Sequence, residues 1–295
     1  MPSEPATIRK REAQPLAPGL YLVATPIGNL EDITLRALRV LESVDRIACE
    51  DTRQTQKLLN HFSIATPTIS YHMHNEGPRA EELTAELKQG ARIALVSDAG
   101  TPGISDPGVE LVAAAVAAGI AVFPIPGANA AISALIASGL STERFIFHGF
   151  LPAKAGQRKT ALEQFPRNGA THIFYEAPHR IAETLSDIEA VFGADQHVVL
   201  ARELTKLHEE FLRGQVSKLR AELNARPAIR GEMVLLFSPS PGEKTHKQSI
   251  TAEVSALMHS EGIDEKDALK RIARERGIGK SEAYRELQRE QNRLR

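Results

Sequence analysis

The chain has 295 residues, enough for two ordinary domains and a small third. Its 42% hydrophobic content is that of a globular protein with a core, and no apolar run reaches the ~20 residues of a membrane span. A formal net charge of −1 rules out bulk attraction to nucleic acid, so any such binding must use local patches. Residues 1–18 are polar and proline-containing, lack the apolar stretch of a signal peptide and are expected to be a disordered tail. Cys49 is the only cysteine, which excludes intrachain disulfides and cysteine zinc sites, and the chain reads as cytoplasmic. Short β-branched runs at 20–24, 46–50, 68–72, 92–97 and 120–125 then alternate with amphipathic stretches at 33–43, 52–62 and 78–88. That alternation predicts an α/β domain over 19–126 with a mostly parallel sheet. A helix over 108–118 is expected to start with Asp106 as N-cap and Pro107 as its first residue, and to end at Gly119.

A second α/β domain is expected over 127–238, with strands at 144–150, 171–177, 197–203, 209–214 and 232–238. Little helix fits between 203 and 209, so a hairpin and a mixed sheet are predicted there. Residues 239–249 have linker composition. From 250 to 295 there is no strand signal. Helices are expected near 250–260, 265–275 and 281–293, with Gly262 and Gly277 at helix ends and Asp264 and Ser281 as N-caps. "ALKRIARERGIGKSEAYREL" has the shape of a helix-turn-helix.

The densest signal is "VSDAGTPGISDPG", residues 96–108. It follows an apolar strand, at the carboxyl edge where open α/β sheets bind ligands. Its glycines let the backbone approach a ligand, and its prolines remove chain entropy, so the loop is held ready. A stiff helix start accounts for Asp106, Pro107 and Gly108 but leaves Asp98 and 99–103 unexplained, which points to binding there. "ATPIGNLED" (24–32) and "PIPGANAAISALIASG" (124–139) follow the first and fifth strands of the same sheet. The alanine-rich helix of the latter allows something flat to come close, whether a ligand or another helix.

The dinucleotide fingerprint G-x-G-x-x-G is absent, and Asp51, at roughly the spacing of a ribose-binding acid, assigns nothing by itself. "GIGKS" (277–281) ends like a P-loop but has Arg274 where the first glycine belongs and follows a helix, so it is rejected. "YHMH" (71–74) has two histidines without an acidic or cysteine set, and no metal is expected.

In order, "LYLVATPIGNLEDITLRALRVLESVD", "CEDTRQTQKLL", "VSDAGTPGISDPG", "PIPGANAAISALIASGL", "FHGFLP", "FYEAPHRIAETL" and "ARELTKLHEEFLRG" resemble the tetrapyrrole methylase-type family of S-adenosylmethionine enzymes, and within it the branch that methylates cytidine 2′-hydroxyls of 16S rRNA. The resemblance runs from about 19 to 238 and extends to the helical tail. It implies two α/β domains with the methyl donor, S-adenosylmethionine, in the cleft between them, and a homodimer. The implied donor contacts are Pro26, Ile27 and Gly28, then Asp98, Ala99, Gly100 and Ile104, then Ser133 and Ala134, with Tyr175, Ala177, Glu232 and Met233 from the second domain. The implied substrate is 16S rRNA in the small ribosomal subunit.

Methyl transfer from a sulfonium is an in-line displacement, so much of the catalysis is alignment of reacting atoms. A ribose hydroxyl is weakly acidic and needs a base. Candidates at strand ends are Glu50, Asp51, Glu176, Glu203 and Lys206, with His179 and Glu209 beside them. Each also has a plain structural role open to it, helix capping for Glu50 or Asp51 and ion pairing for Glu209. Arg53, Arg180, Arg202 and Lys206 are candidate RNA phosphate contacts, or else part of a solvated face. Two other readings stand beside the ribose methyltransferase: a tetrapyrrole methyltransferase and a non-catalytic RNA-binding protein.

Overall fold

The computed structural model describes residues 15–239 and 250–275, with 279, 283–285, 287–288 and 290. Residues 1–14 of the expected tail, 240–249 of the expected linker, and Gly277 and Ser281 lie outside the described residues.

The chain opens with β1 (Gly19–Val23), α1 (Leu35–Ser43), β2 (Arg46–Cys49), α2 (Thr52–His61), β3 (Thr68–Ser70), α3 (Glu76–Lys88), β4 (Arg92–Val96), α4 (Val109–Ala117) and β5 (Val122–Ile125). These strands form one sheet of order β3-β2-β4-β1-β5, parallel throughout. Side chains alternate across it, as strand geometry requires. Tyr21, Val23, Ile47, Cys49, Ala94 and Val96 pack with α1 on one face. Leu20, Ala48, Ile93 and Leu95 pack with Leu83 and Leu87 of α3 and Leu111 and Ala115 of α4 on the other. A sheet buried on both faces needs continuous apolar strands, which is why "RIALV" reads as it does.

The second half runs α5 (Ala130–Ser138), β6 (Phe145–Phe150), α6 (Ala155–Glu163), β7 (Thr171–Glu176), α7 (Ile181–Phe192), β8 (His197–Arg202), β9 (Glu210–Gln215), α8 (Val216–Asn224) and β10 (Met233–Phe237). Its sheet, β6-β7-β10-β8-β9, is mixed: β6 pairs parallel with β7, and the other neighbours pair antiparallel. Helices α6, α7 and α8 cover one face through Leu162, Leu185, Ile188, Leu219 and Leu223. The other face receives α5 and Ile27, with Ala131, Ala134 and Leu135 against Ile173, Val199, Ala201, Val234 and Leu236. The flat partner that the alanines of α5 admit is therefore this sheet. Both sheets pack within one compact unit, and the C-terminal helices belong to another.

In that second unit, α9 (Ile250–Glu261) and α10 (Glu265–Glu275) close a small core of Ile250, Val254, Ala268, Leu269, Ile272 and Ala273 with Ala283 and Leu287. Gly262 follows α9 with φ +66°, and Asp264 Oδ1 accepts the Asp267 N–H at 2.7 Å, a side-chain N-cap.

One expectation at a helix start fails. Helix α4 is preceded by Gly108, at φ +140°, and no side chain caps it from that position. A Cβ on Gly108 would stand 2.8 Å from Leu95 Cδ2, so a larger residue would have to displace the buried Leu95 and strain the turn into α4. Asp106 is not the cap.

Candidate active site

The loops after β1 and β4 are zipped together at the carboxyl edge of the first sheet. The Thr25 N–H donates to Gly100 O at 2.8 Å, and the Gly100 N–H donates back to Thr25 O at 3.0 Å. The Thr25 hydroxyl adds a bond to Ser97 O at 3.2 Å. These bonds fix the glycine loop against the first loop, and the second sheet closes over both. A cavity of about 470 Å³ lies between them, the size of a cofactor pocket.

Its lining draws on both halves. From the first come Ile27, Glu50, Asp98, Ala99, Gly100, Ile104 and Asp106; from the second come Phe150, Tyr175, Glu176, Ala177, Leu204, Glu232, Met233 and Val234. Three carboxylates, Glu50, Asp98 and Asp106, line one part, and no Lys, Arg or His lines the cavity among the described residues. Burial, then the charge of Asp98, pushes the Glu50 carboxyl up. Burial, then Glu50 and Asp98, pushes Asp106 up to about 6. Backbone strain collects at the same place. Ser105, in the wall, holds φ +64°, and Glu203 and Thr205, flanking Leu204, hold +52° and +65°.

The residues expected to meet a donor divide here. Ile27, Asp98, Ala99, Gly100, Ile104, Tyr175, Ala177, Glu232 and Met233 line the cavity. Pro26 and Gly28 do not. Gly28 has another reason to be glycine: a Cβ there would sit 2.4 Å from Lys206 Cγ, because the lysine stem crosses it from the second half. Ser133 and Ala134 are also outside the lining. Ala134 is fully buried against the second sheet, so it cannot touch a ligand, and the wall is made one turn earlier by Asn129 and Ala130.

Among the expected bases, only Glu50 and Glu176 reach the cavity. Glu176 is committed internally: the Thr184 hydroxyl donates to it at 2.5 Å, the Ala177 N–H at 2.8 Å, and Arg180 pairs with it at 3.4 Å. Asp51 is the N-cap of α2, accepting the Arg53 N–H at 2.8 Å, while its own N–H donates to Asp98 Oδ1 at 3.1 Å. Glu203 accepts Lys206 Nζ at 2.8 Å, which holds its carboxyl below the usual range, and Lys206 also reaches Glu232 at 3.0 Å. Glu209 accepts the Thr205 N–H at 2.6 Å, and His179 is exposed. The Glu203–Lys206–Glu232 cluster therefore buttresses the wall that carries Leu204 and Glu232.

The expected phosphate contacts divide likewise. Arg180 donates to Leu151 O at 2.7 Å and Pro152 O at 3.2 Å, and Arg202 pairs with Glu210 at 2.9 Å. Glu210 is shared with Arg226, whose guanidinium, ahead of Arg202, holds it down to about 2. Both arginines are staples within the second sheet's domain. Arg53, with 86% of its side chain exposed beside Asp51, is the one of the four open to a large ligand.

Two lining residues carry no local sequence signal for the site. Phe150 ends β6, is 56% exposed and meets the Tyr175 ring edge-on at 5.8 Å. Asp106 reads as a cap. The rule that ligands sit at carboxyl strand ends points to Phe150; nothing local points to Asp106.

The cavity suits a donor that carries a sulfonium. The Glu50, Asp98 and Asp106 carboxylates, with no Lys, Arg or His beside them among the described residues of the lining, favour a positive ligand over a phosphate-bearing one. The profile of the family Tetrapyrrole (Corrin/Porphyrin) Methylases matches residues 19–220. Proteins named Ribosomal RNA small subunit methyltransferase I are similar over nearly the whole chain. That of Halalkalibacterium halodurans is 53% identical over 272 residues, 90% of this chain and 93% of its own. That of Synechocystis sp. is 48% identical over 268 residues, 90% of this chain and 95% of its own. Among solved structures, uroporphyrin-III-C-methyltransferase from Thermus thermophilus shares the fold with a TM-score of 0.53 at 20% identity, over 74% of this chain and 94% of that one. A diphthine synthase does so with a TM-score of 0.54 at 13% identity, over 74% of this chain and 89% of that one.

Proposed function

The chain belongs to the tetrapyrrole methylase family, and from that premise we propose that it transfers a methyl group from S-adenosylmethionine to the 2′-hydroxyl of a cytidine in 16S rRNA of the small ribosomal subunit. The observation that carries the chemistry is the cavity lined by Glu50, Asp98 and Asp106, with no Lys, Arg or His among the described residues that line it. The donor supplies an activated methyl on a cationic sulfur. Asp98 and Glu50 favour that charge, the backbone at Ala99–Gly100 and the second-half wall at Tyr175, Ala177, Glu232 and Met233 hold the rest, and Ile27 and Ile104 exclude water. The substrate assignment rests on the relatives, whose name specifies small-subunit ribosomal RNA.

Residues 19–126 and 127–238 act in this reading as two lobes around the donor. Beyond a linker at 239–249, residues 250–295 are in this reading a helix-turn-helix-like module that contacts RNA; the core that α9 and α10 close for themselves supports a separate module. A homodimer completes the enzyme. Exposed apolar side chains on α4 (Val109, Val116) and on α5 (Ile132, Ile136) support this, being available to bury.

A net charge of −1 suits a target whose shape is already fixed, because little electrostatic attraction is available to order free RNA. The test is labelled methyl transfer to small subunits and to naked 16S rRNA at equal concentration across a salt series, followed by nucleoside analysis. Label in 2′-O-methylcytidine, with subunits preferred, is expected. Label in neither substrate overturns the reading.

A further inference from the structure

Asp106 precedes a helix and caps nothing. The donors at the start of α4 are taken by residues from the α3 side: the Gly108 N–H donates to Glu76 Oε1 at 2.8 Å, and the Leu111 N–H donates to the Tyr71 phenol oxygen at 3.2 Å. Tyr71 in turn donates to Glu76 at 3.0 Å. With two of those donors satisfied from elsewhere, Asp106 lines the cavity, half-buried. The residue before it, Ser105, is held at a left-handed φ that a serine rarely adopts. Such strain persists where the surroundings impose it, and here it sets the direction from which Asp106 enters.

Resting on the methyl-transfer reading above, we propose that Asp106 is the general base that takes the proton of the attacking ribose hydroxyl. The ribose oxygen forms its bond to the methyl carbon as the carbon–sulfur bond breaks. The bonding pair stays on sulfur, and the hydroxyl proton passes to the Asp106 carboxylate. The products are 2′-O-methylribose, the neutral thioether S-adenosylhomocysteine and a protonated Asp106, which releases its proton to solvent.

Two other carboxylates of the cavity, Asp98 and Glu176, are less suited, and Glu50 is the comparison in the test below. Asp98 already accepts the Asp51 N–H at 3.1 Å and is mostly exposed, and Glu176 is held by Thr184, Ala177 and Arg180. The titratable groups facing Asp106 are Glu50 at the end of β2, Asp98 at the end of β4 and Tyr175 on β7. Burial and the two acids place the Asp106 carboxyl at about 6. It is therefore ionised at neutral pH yet more basic than an ordinary aspartate, which is the condition for an effective base. Burial also raises the Tyr175 phenol, which stays protonated.

The test uses the full-length protein and Asp106→Asn, with Glu50→Gln for comparison. Donor affinity is measured by calorimetry with S-adenosylmethionine, and methyl transfer is measured on small subunits across pH. Asp106→Asn is expected to lower kcat by about a hundredfold or more, while donor affinity falls by no more than about tenfold as one of the three carboxylates loses its charge. For the wild type, kcat/KM for the donor is expected to rise through about pH 6 and then level. That limb disappears in Asp106→Asn and remains, moved to lower pH, in Glu50→Gln, because the Glu50 charge helps to raise Asp106. An active wild type overturns the assignment alone if Asp106→Asn is equally active, keeps the limb, or loses donor affinity as steeply as rate. A wild type that transfers no methyl to subunits overturns the reading itself and the assignment with it.

Discussion

Tyr71, fully buried, accepts the main-chain N–H of Leu111 at 3.2 Å across 40 residues of sequence. It thereby anchors the helix that closes the glycine loop. Tyr71→Phe leaves that N–H and the Glu76 carboxylate each short of a partner. A loss of about 1–3 kcal/mol is expected, read from urea denaturation. Donor affinity should fall as well, since the loop between Gly100 and Gly108 is tethered at that end. An unchanged midpoint would show that water replaces the phenol at no cost.

Gly28 and Lys206 form a second long-range pair. Gly28→Ala puts a methyl 2.4 Å from Lys206 Cγ and must push the lysine away from Glu203 and Glu232. A destabilisation of about 1–3 kcal/mol is expected, with weaker donor binding as the wall at Glu232 loosens. Lys206→Ala removes the obstruction, so the double variant should lose less than the sum of the two single ones. Strict additivity in denaturation and calorimetry would argue against the contact.

Asp98 lies at the end of β4, in the cavity wall. Asp98→Ala is expected to weaken S-adenosylmethionine binding by about tenfold or more, near 1.4 kcal/mol, without lowering the melting temperature. The uncharged product should discriminate less between wild type and variant than the donor does, because it lacks the sulfonium. Equal losses for both would assign Asp98 a role in shaping the loop.

His148 predicts an acid limit to stability. Its ring stacks between Phe165, His172 and Phe174 and sits 2.7 Å from His172 Nδ1. Burial, then the charge of His172, lowers its pKa from 6.5 to about 4. The unfolded chain therefore binds the proton first. This contribution is complete above the unfolded value and is lost as the pH falls from 6.5 towards 4. Denaturant midpoints should drop between about pH 7.5 and about pH 5, and His148→Phe should flatten part of that slope.

The C-terminal helices have their own core, and so do the two sheets. A chain ending at residue 239 is expected to fold and to bind donor within about threefold of the full protein, while methylating subunits far more slowly. Full methylation by the short chain would remove the helices from substrate recognition.

What was legible in the sequence follows the range of the interactions. The strands show because each is a local apolar run, and the loops after β1 and β4 show because glycine and proline are local constraints. Asp106 is misread because "SDPG" carries a complete local cap signal, while the groups that supply the cap, Tyr71 and Glu76, are more than 30 residues away in sequence. Gly28 reads as backbone shaping, and its φ of +153° agrees, while its close approach to Lys206, distant in sequence, does not show. The alanine-rich α5 leaves open what flat surface it meets, because a run of small residues does not specify one; it meets the second sheet.

The order β3-β2-β4-β1-β5 also constrains how the chain acquires its structure. The two neighbours of β1 are β4 and β5, both made after residue 91. Strand β1 therefore has neither of its sheet neighbours until some 70 further residues have followed it, and β4 comes to lie between β1 and β2. Non-local pairing of this kind is slow and leaves apolar edges exposed in the meantime. During synthesis the stretch from Leu20 to Cys49 is expected to be a substrate for chaperones that hold extended apolar segments, released when Arg92–Val96 arrives.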